Sequence, residues 1–283
     1  MKLALLGDLH YPHLSGDAAV VALRDSWFGG VLKSFLDVEA DIHISLGDLT
    51  NEGRADELRD VYGAVDGHVP PRRFVHVLGN HDTLAMGKRE WMASTGQARY
   101  FALERAEATL VFLDTAKEGR ADDFGGELDA EQAEWLGRIV RESGEKPLLV
   151  FGHHPLVDTT TNSEQPMFGF HREADPWPIL RGKRGRGFYF CGHNHAHSIV
   201  KREQWHFIQT AACLDTAAVR TVELRGGELT VGLLTFDDEA RRREADALAA
   251  SMKLFTPKQL ARGTIADHGL TVNLLPTERN GER

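Results

Sequence analysis

Short apolar runs alternate with amphipathic stretches over the first two-thirds of the chain, and this pattern predicts its secondary structure. Two of the amphipathic stretches, residues 17–38 and 129–143, place apolar side chains at helical spacing. Strands and helices that alternate in this way are typical of an α/β sandwich with a largely buried sheet. Six apolar runs have the character of buried strands bounded by loop-forming residues, namely 2–6, 42–46, 73–78, 109–113, 148–152 and 187–191.

The pattern changes after residue 195, where strand-like segments follow one another without intervening helices. We expect these segments to form a second sheet that is at least partly antiparallel, with a hairpin turn at Gly226 and Gly227. From Asp237 onward the sequence predicts a charged helix over 239–255 and a second helix after Pro257. The chain therefore divides into a domain of residues 1–236 and a C-terminal helical tail of residues 237–283. The strand-like segments are 197–201, 205–210, 217–224 and 228–236.

Composition and charge narrow the classes of function. The 283 residues carry 33 Lys and Arg against 42 Asp and Glu, a formal net charge of −9, which disfavours nucleic acid and anionic membranes as partners. No uncharged apolar stretch reaches the length of a membrane span, and the first apolar run is too short for a secretory leader. Because Cys191 and Cys213 are the only cysteines, a disulfide scaffold is excluded and a cytoplasmic location is expected.

One segment departs from the acidic average. Residues 171–206 hold seven Lys and Arg residues against three acidic ones. A run of this kind is either a solvated surface loop or a rim that attracts anions. On the second interpretation, Arg181, Arg184 and Arg186 would bind a substrate anion.

Clusters of Asp, Asn and His directly follow five of the predicted strands. Because loops at the carboxyl ends of strands open onto one crevice in an α/β sheet, we expect these side chains to converge. Carboxylate, amide carbonyl and imidazole together suit borderline divalent metals. The five clusters hold more such ligands than one ion can bind, which favours two ions joined by one carboxylate. The clusters are Gly7-Asp8-Leu9-His10, Gly47-Asp48-Leu49-Thr50-Asn51, Gly79-Asn80-His81-Asp82, Gly152-His153-His154-Pro155 and Gly192-His193-Asn194-His195.

In this order the motifs D-x-H, G-D-x-x-N, G-N-H-D, G-H-H-P and G-H-N-H resemble those of the calcineurin-like metallophosphoesterases, over residues 8–195. The resemblance implies an α/β fold, a four-layer αββα sandwich of two mixed sheets. It also implies two metal ions, drawn from Mn, Fe, Zn, Co or Ni with Mn or Fe favoured. Asp8, His10 and His195 would bind the first ion, Asn80, His153 and His193 the second, and Asp48 would bridge them.

The resemblance further assigns catalytic roles. His81 would lie near the leaving oxygen as a general acid or hydrogen-bond donor. Asn51 stands where relatives carry a tyrosine or an aspartate, so the partner of His81 stays open and Asp82 is a substitute candidate. The amide N–H of Asn80 would also reach a phosphate oxygen, and His154 would either pack beside the site or contact the substrate.

The function expected from these residues is hydrolysis of a small phosphodiester or nucleotide by attack of metal-bound hydroxide. Three alternatives stay open: a phosphomonoesterase, which the basic residues 181–186 would favour; a DNA or RNA nuclease, which the net charge disfavours; and a non-catalytic metal-binding scaffold for a partner protein. Specificity is expected in residues 157–187 and in the tail, which could cap the site or pair subunits in a homo-oligomer.

Overall fold

The computed structural model describes residues 1–275, which form two six-stranded sheets. The strands are β1 (Lys2–Leu6), β2 (Ile42–Ser45), β3 (Phe74–His76), β4 (Phe101–Glu104), β5 (Thr109–Phe112), β6 (Leu148–Phe151), β7 (Gly187–Cys191), β8 (Ser198–Arg202), β9 (Trp205–Gln209), β10 (Ala218–Arg225), β11 (Glu228–Thr235) and β12 (Leu270–Asn273). The first sheet has the order β12-β11-β10-β1-β2-β3, and the second β4-β5-β6-β7-β9-β8.

Both sheets are mixed. In the first, β1, β2 and β3 run parallel, while β10, β11 and β12 are each antiparallel to their neighbours. In the second, β5, β6, β7 and β9 run parallel, and the edge strands β4 and β8 are antiparallel. Parallel strands carry their carboxyl ends to one edge of a sheet, which positions the loops described below.

The two sheets face each other across an apolar interface. Leu3 and Leu5 of β1 pack there in one cluster with Phe188 and Phe190 of β7, whereas the intervening residues of both strands face outward. This follows from the two-residue period of a strand, which sends successive side chains to opposite faces. Because both faces of these strands are buried, the strands appear in sequence as continuous apolar runs.

Helices cover the two outer faces, so the layers are α, β, β and α, as expected. The outer face of the first sheet packs against α1 (Ala18–Asp37), α2 (Ala55–Asp66) and α6 (Glu239–Ser251), and that of the second against α4 (Ala130–Glu142) and α5 (Trp177–Leu180). The remaining helix, α3 (Lys88–Thr95), packs in a smaller cluster with α2. None of the helices within residues 1–275 has both the length and the apolar character to cross a bilayer.

The six early strands and two early helices are confirmed to within two residues at each end. The expectation that the strands after residue 195 form a sheet of their own is wrong. They are antiparallel in pairs, but β8 and β9 extend the second sheet while β10 and β11 extend the first. Both pairs of strands contribute side chains to the apolar interface, since Ile208 of β9 and Val222 of β10 belong to the cluster between the sheets. Joining the two existing sheets lets each pair bury its apolar face in that interface.

The tail is only partly helical. The predicted charged helix is α6, which ends at Ser251. The prediction of a second helix after Pro257 is wrong. Gly263 adopts a φ of +58°, and the chain then forms a short 3-10 helix, Ile265–Asp267, before β12 pairs with β11. The division of the chain at residue 237 stays a prediction, and residues 276–283 of the predicted tail lie outside the described residues.

Candidate metal centre

The five polar clusters meet at one place, beyond the carboxyl ends of β1, β2, β3, β6 and β7. Four of the candidate ligands there have left-handed backbones, with φ of +51° at His10, +46° at Asp48, +71° at His193 and +54° at His195. Positive φ is uncommon for residues other than glycine, and such strain persists only where surrounding structure imposes it. The tight turns after the strands therefore aim these side chains at a common point.

Neighbouring glycines allow the loops to approach so closely. A Cβ added to Gly79 would lie 2.2 Å from both the backbone nitrogen and Oδ1 of Asp48, and one added to Gly192 would lie 2.3 Å from Oδ2 of Asp8. Any other residue at these two positions would push a candidate ligand out of place.

The first set of donor atoms comes from Asp8, His10 and His195, all buried. The two Nε2 atoms of His10 and His195 face each other at 3.1 Å, and Oδ1 of Asp8 lies 3.9 Å from Nε2 of His195. Among the described residues, Oδ2 of Asp8 is buried and has no hydrogen-bond partner. A carboxylate oxygen left unpaired beside two converging imidazoles is the arrangement a bound cation would satisfy.

The second set comes from Asn80, His153 and His193. Nε2 of His153 lies 3.1 Å from Oδ1 of Asn80 and 3.2 Å from Nδ1 of His193. Asp48 lies between the two sets, because its Oδ2 is 3.3 Å from Nε2 of His153 and 3.7 Å from Nε2 of His10. The structure thus brings all seven candidate ligands together, with Asp48 in the position expected of a bridge.

The charges at three of the candidate ligands fit a divalent cation. At Asp8 and His153 a cation would displace protons, since burial raises the pKa of Asp8, and Asp48 raises the pKa of His153 to about 9 against the effect of burial. Burial lowers the pKa of His10 well below its usual value and that of His193 to about 3, so both imidazoles are neutral at pH 7. Burial opposes ionisation of Asp48, but the neighbouring His153 and His81 hold its pKa well below the usual range. Neutral imidazole and ionised carboxylate are the forms that bind metal.

Hydrogen bonds behind the candidate ligands orient their rings. Nδ1 of His153 lies 2.9 Å from the carbonyl oxygen of Leu46, and Nε2 of His193 lies 2.8 Å from that of Met167. Nδ1 of His195 makes no hydrogen bond within residues 1–275 but faces a carboxylate, at 3.3 Å from Oδ2 of Asp215. Sequence reasoning missed Asp215, which belongs to no motif and lies between β9 and β10. Such partners fix the tautomer and orientation of a ligating histidine.

His81 lies beside Asp48, and its backbone N–H donates to Oδ1 of that residue at 2.8 Å. Its Nδ1 lies 2.7 Å from the backbone carbonyl oxygen of Asn51. The side chain of Asn51 points elsewhere and donates from Nδ2 to the carbonyl oxygen of Lys253 at 2.8 Å. Asn51 therefore holds His81 through its backbone carbonyl, which answers the question that the sequence left open.

The structure does not pair Asp82 with His81. The carboxylate of Asp82 is buried and accepts from Thr50 N and Oγ1 at 2.9 and 2.7 Å, from Gly79 N at 2.9 Å and from Nε2 of His76 at 3.0 Å. These bonds tie the loop after β2 to the loop after β3. Asp82 thus positions Asp48 and Asn80 from behind.

His154 also lies behind the centre. Its two ring nitrogens are engaged, Nδ1 with Oγ1 of Thr115 at 2.7 Å and Nε2 with the carbonyl oxygen of Phe124 at 2.9 Å. The ring packs on His193 with centroids 4.4 Å apart. Because both nitrogens are used and the side chain is buried, the geometry gives His154 a packing role and does not bring it to a substrate.

The basic loop lies far from the centre. Arg181, Arg184 and Arg186 precede β7, whereas the candidate ligands His193 and His195 follow it, so the strand separates the two groups. Arg181 pairs with Glu203 at 3.4 Å. A loop that precedes a strand and a loop that follows it lie at opposite ends of the strand. The prediction that these arginines bind substrate beside the metals is therefore wrong.

A cavity of about 320 Å³ opens over the centre. The side chains of Asp48, Asn80, His81, His193 and His195 line its floor. Its walls come from four parts of the chain that are distant in sequence. Phe168 belongs to the region 157–187, where residues that determine specificity were expected, and the tail also contributes side chains to the cavity wall. Sequence reasoning did not identify residues 120–124 as part of this wall. The walls are Leu84, Arg120, Ala121, Phe124, Phe168, Leu254, Thr256 and Lys258.

Comparisons with known proteins agree with this geometry. The family model for calcineurin-like phosphoesterases matches residues 1–197. A glycerophosphodiester phosphodiesterase of Enterobacter lignolyticus is 27% identical over 184 residues, which cover 58% of this chain and 59% of that protein. A probable cyclic nucleotide phosphodiesterase of Rhodopseudomonas palustris is 27% identical over 161 residues, covering 54% and 56% respectively.

The chain thus spans less than two-thirds of the length of both relatives. Among solved structures, Vps29 of Chaetomium thermophilum is 11% identical with a TM-score of 0.40, over 84% of this chain and 91% of that one.

Proposed function

The chain belongs to the calcineurin-like phosphoesterase family, and from this premise we propose that it is a phosphoester hydrolase that cleaves a small phosphodiester with two bound metal ions. The observation that carries the proposal is the position of Asp48, whose Oδ2 lies between two separate sets of ligand atoms at 3.3 and 3.7 Å. One carboxylate between two donor sets is the arrangement of a two-metal site.

In the proposed reaction, water displaces an alcohol from phosphorus. Asp8, His10 and His195 would hold one metal, Asn80, His153 and His193 the other, and Asp48 both. When bound, two such ions supply Lewis acidity toward the phosphoryl oxygens and lower the pKa of the attacking water. The donor set of imidazole, carboxylate and amide oxygen supports Mn or Fe as the native metals.

This chain's own side chains would manage the substrate and the proton. The oxygen of water forms a bond to phosphorus while the bond from phosphorus to the leaving oxygen breaks, and the proton that the water loses passes to the solvent, from which His81 is reprotonated. His81 lines the cavity floor beside Asp48, so its Nε2 would donate a proton to the leaving oxygen. Asn80 would hold a metal through Oδ1, which leaves its amide N–H to reach a phosphoryl oxygen.

Four observations support a diester over a monoester. The arginines that would suit a dianionic monoester lie at the other end of β7, and the cavity walls within residues 1–275 contribute only two basic side chains, Arg120 and Lys258. Arg120 is already paired with Asp122 at 3.0 Å. The names of the two relatives, both phosphodiesterases, point the same way.

The test compares metal-loaded protein on two chromogenic substrates. After reconstitution with Mn²⁺, we expect about two ions per chain and faster hydrolysis of bis(4-nitrophenyl) phosphate than of 4-nitrophenyl phosphate. Asp48→Ala should lose both ions and the activity, whereas Asp246→Ala, an exposed carboxylate on α6, should change neither. Full turnover by Asp48→Ala with its metal retained would overturn the proposal, and a preference for the monoester would reassign the substrate class.

Two further expectations remain proposals. A cytoplasmic location is supported by Cys191 and Cys213, which are both free and buried. A homo-oligomer formed through the tail is supported by the exposure of Leu260 and Ile265, at 82% and 90%. Light scattering of wild type and of Leu260→Ser/Ile265→Ser would test it, since loss of a dimer in the double variant is the expected outcome.

A further inference from the structure

Residues 252–258, which we call the strap, cross the metal centre from a place in the sequence remote from every motif. Three contacts anchor the strap to the candidate ligands and their supports. The side chain of Asn51 donates to the carbonyl oxygen of Lys253 at 2.8 Å. The ring of Phe255 stacks on His195 at 5.2 Å and meets His10 edge-on at 5.1 Å.

The third anchor is Asp215. Its Oδ1 accepts from the backbone N–H of Lys258 at 2.7 Å, while its Oδ2 faces Nδ1 of His195 at 3.3 Å. One carboxylate therefore contacts both a candidate metal ligand and the end of the strap. Through Asp215 the strap is connected to the metal centre.

These anchors leave the side chains between them directed at the cavity. Leu254, Thr256 and Lys258 all line it. Leu254 has a φ of +63°, an unfavourable conformation for a bulky residue, and its side chain is 59% exposed. An exposed leucine gains little free energy from burial, so its own packing does not offset the strain of this backbone conformation. The anchors on either side impose the conformation and turn Leu254 toward the cavity.

Lys258 is a cation available to a ligand. Its Nζ lies 5.5 Å from the centroid of the Phe168 ring. None of the ion pairs formed within residues 1–275 includes Lys258, in contrast to Arg120 on the same cavity, which pairs with Asp122. The Phe168 ring in turn lies 6.5 Å from the ring of His193. The Phe168 ring thus lies near both the ammonium and a candidate ligand, so a substituent that leaves the metal centre along this ring would meet the ammonium.

We propose that Lys258 is a specificity residue that binds a second anionic group on the substrate, such as a carboxylate or a second phosphate. The substituent would cross the apolar surface formed by Phe168 and Leu254 and end at the ammonium. This inference rests on the proposed function, because it concerns the substituent carried by the phosphodiester.

The test uses matched esters that differ only in a terminal carboxylate. These are 4-nitrophenyl alkyl phosphates and their ω-carboxyalkyl counterparts with two, three and four methylene groups, so that one chain length spans the cavity. For wild type loaded with Mn²⁺, we expect KM to be about five-fold lower for the best carboxylated ester than for its alkyl match, a ratio in the range of a partly exposed charged pair.

Two substitutions separate the charge of Lys258 from its packing. Lys258→Met keeps an apolar chain on Phe168 and should abolish the preference, because the KM of the carboxylated ester should become equal to that of its alkyl match. Lys258→Arg should retain the preference. Lys201→Met, an exposed lysine on β8, should behave as wild type.

The outcomes separate this inference from the proposed function. If alkyl esters are hydrolysed but no chain length shows a preference that Lys258→Met removes, the inference is wrong and the proposed function stands. An equal rise in KM for both series in Lys258→Met would place the ammonium at the reacting phosphoryl group and overturn the inference as well. If no ester is hydrolysed, the proposed function fails, and the inference fails with it.

Discussion

The Nδ1 atom of His81 lies 2.7 Å from the backbone carbonyl oxygen of Asn51. A carbonyl oxygen can only accept, so Nδ1 carries the hydrogen, and Nε2 is the nitrogen that can reach the cavity. The carbonyl orients the ring without adding the negative charge that a carboxylate partner would supply. His81 can therefore donate to a leaving oxygen only in its protonated form, and it needs no carboxylate to hold its position.

Replacing His81 by alanine should slow the reaction without removing metal. The backbone N–H of residue 81 still donates to Asp48, so the candidate bridge keeps its place. We expect kcat to fall by about 10²-fold or more for alkoxide leaving groups and much less for nitrophenolate, because a good leaving group needs no proton. Metal content by elemental analysis and a series of leaving groups of graded pKa measure this. An unchanged dependence on leaving-group pKa would exclude the role.

Asp215→Asn should weaken one metal site selectively. The substitution keeps Oδ1 for the backbone N–H of Lys258 but removes the charge that faces Nδ1 of His195. Loss of a carboxylate behind a ligating histidine typically lowers metal affinity by about 10–100-fold. Titration with Mn²⁺, followed by electron paramagnetic resonance, should show one weakened and one unchanged site.

Asp158→Asn serves as the control for that titration, since Asp158 is paired with Arg172 on the surface. An equal loss of affinity at both sites would mean that Asp215 acts on the fold and not through His195.

Alanine should have opposite effects at Gly79, which is crowded by Asp48, and at Gly63, which has open space around it. The first substitution should disrupt metal binding, and the second should raise the stability of the protein. A Cβ at Gly79 would lie 2.2 Å from the backbone of Asp48, so Gly79→Ala should displace that loop and abolish metal binding. Gly63 lies inside α2, and apart from the backbone of that helix no atom of residues 1–275 lies within 4 Å of an added Cβ, so Gly63→Ala should stabilise the protein by about 0.5–1 kcal/mol. Thermal unfolding and metal content distinguish the two; retention of both ions by Gly79→Ala would contradict the close approach.

The ligand residues of the centre were predictable because each lies where a buried strand ends. Asp8 and His153, for example, are separated by 145 positions but follow strands that the apolar pattern reveals. The contacts that complete the centre lack such a signal. Asn51 holds His81 through a backbone carbonyl, which any residue possesses, and its type was therefore misleading. Asp215 follows β9 without a recognisable motif.

The strap was unpredictable for a related reason. In sequence, residues 252–255 form the end of the predicted charged helix and Lys258 begins the predicted second one. Only the packing of this segment against His195 and Asp215 turns it toward the cavity. The prediction that the arginines at 181–186 bind substrate was wrong for a different reason. Their charge suggested a phosphate rim, but charge alone does not reveal whether a loop precedes or follows its strand.

The stability of the metal-free protein should fall as the pH drops from about 6.5 to about 4, in part through His43. Burial lowers the pKa of this histidine to about 4, and its Nε2 lies 3.1 Å from the carbonyl oxygen of Val38. In the unfolded chain the pKa returns to about 6.5. Between these values the unfolded state binds a proton that the folded state does not, so the free energy of unfolding decreases as pH falls. Above pH 6.5 the two states bind the same number, and the effect vanishes.

His43→Gln tests this dependence, because glutamine can donate to Val38 but does not titrate. With chelator present for both proteins, the difference in unfolding free energy between pH 7 and pH 4.5 should be smaller in the variant by about 2 kcal/mol. Urea unfolding at the two pH values measures it. Parallel curves for the two proteins would show that His43 takes up its proton in the folded state, which would require the edge-on contact with Phe35, at 5.1 Å, to tolerate a charge.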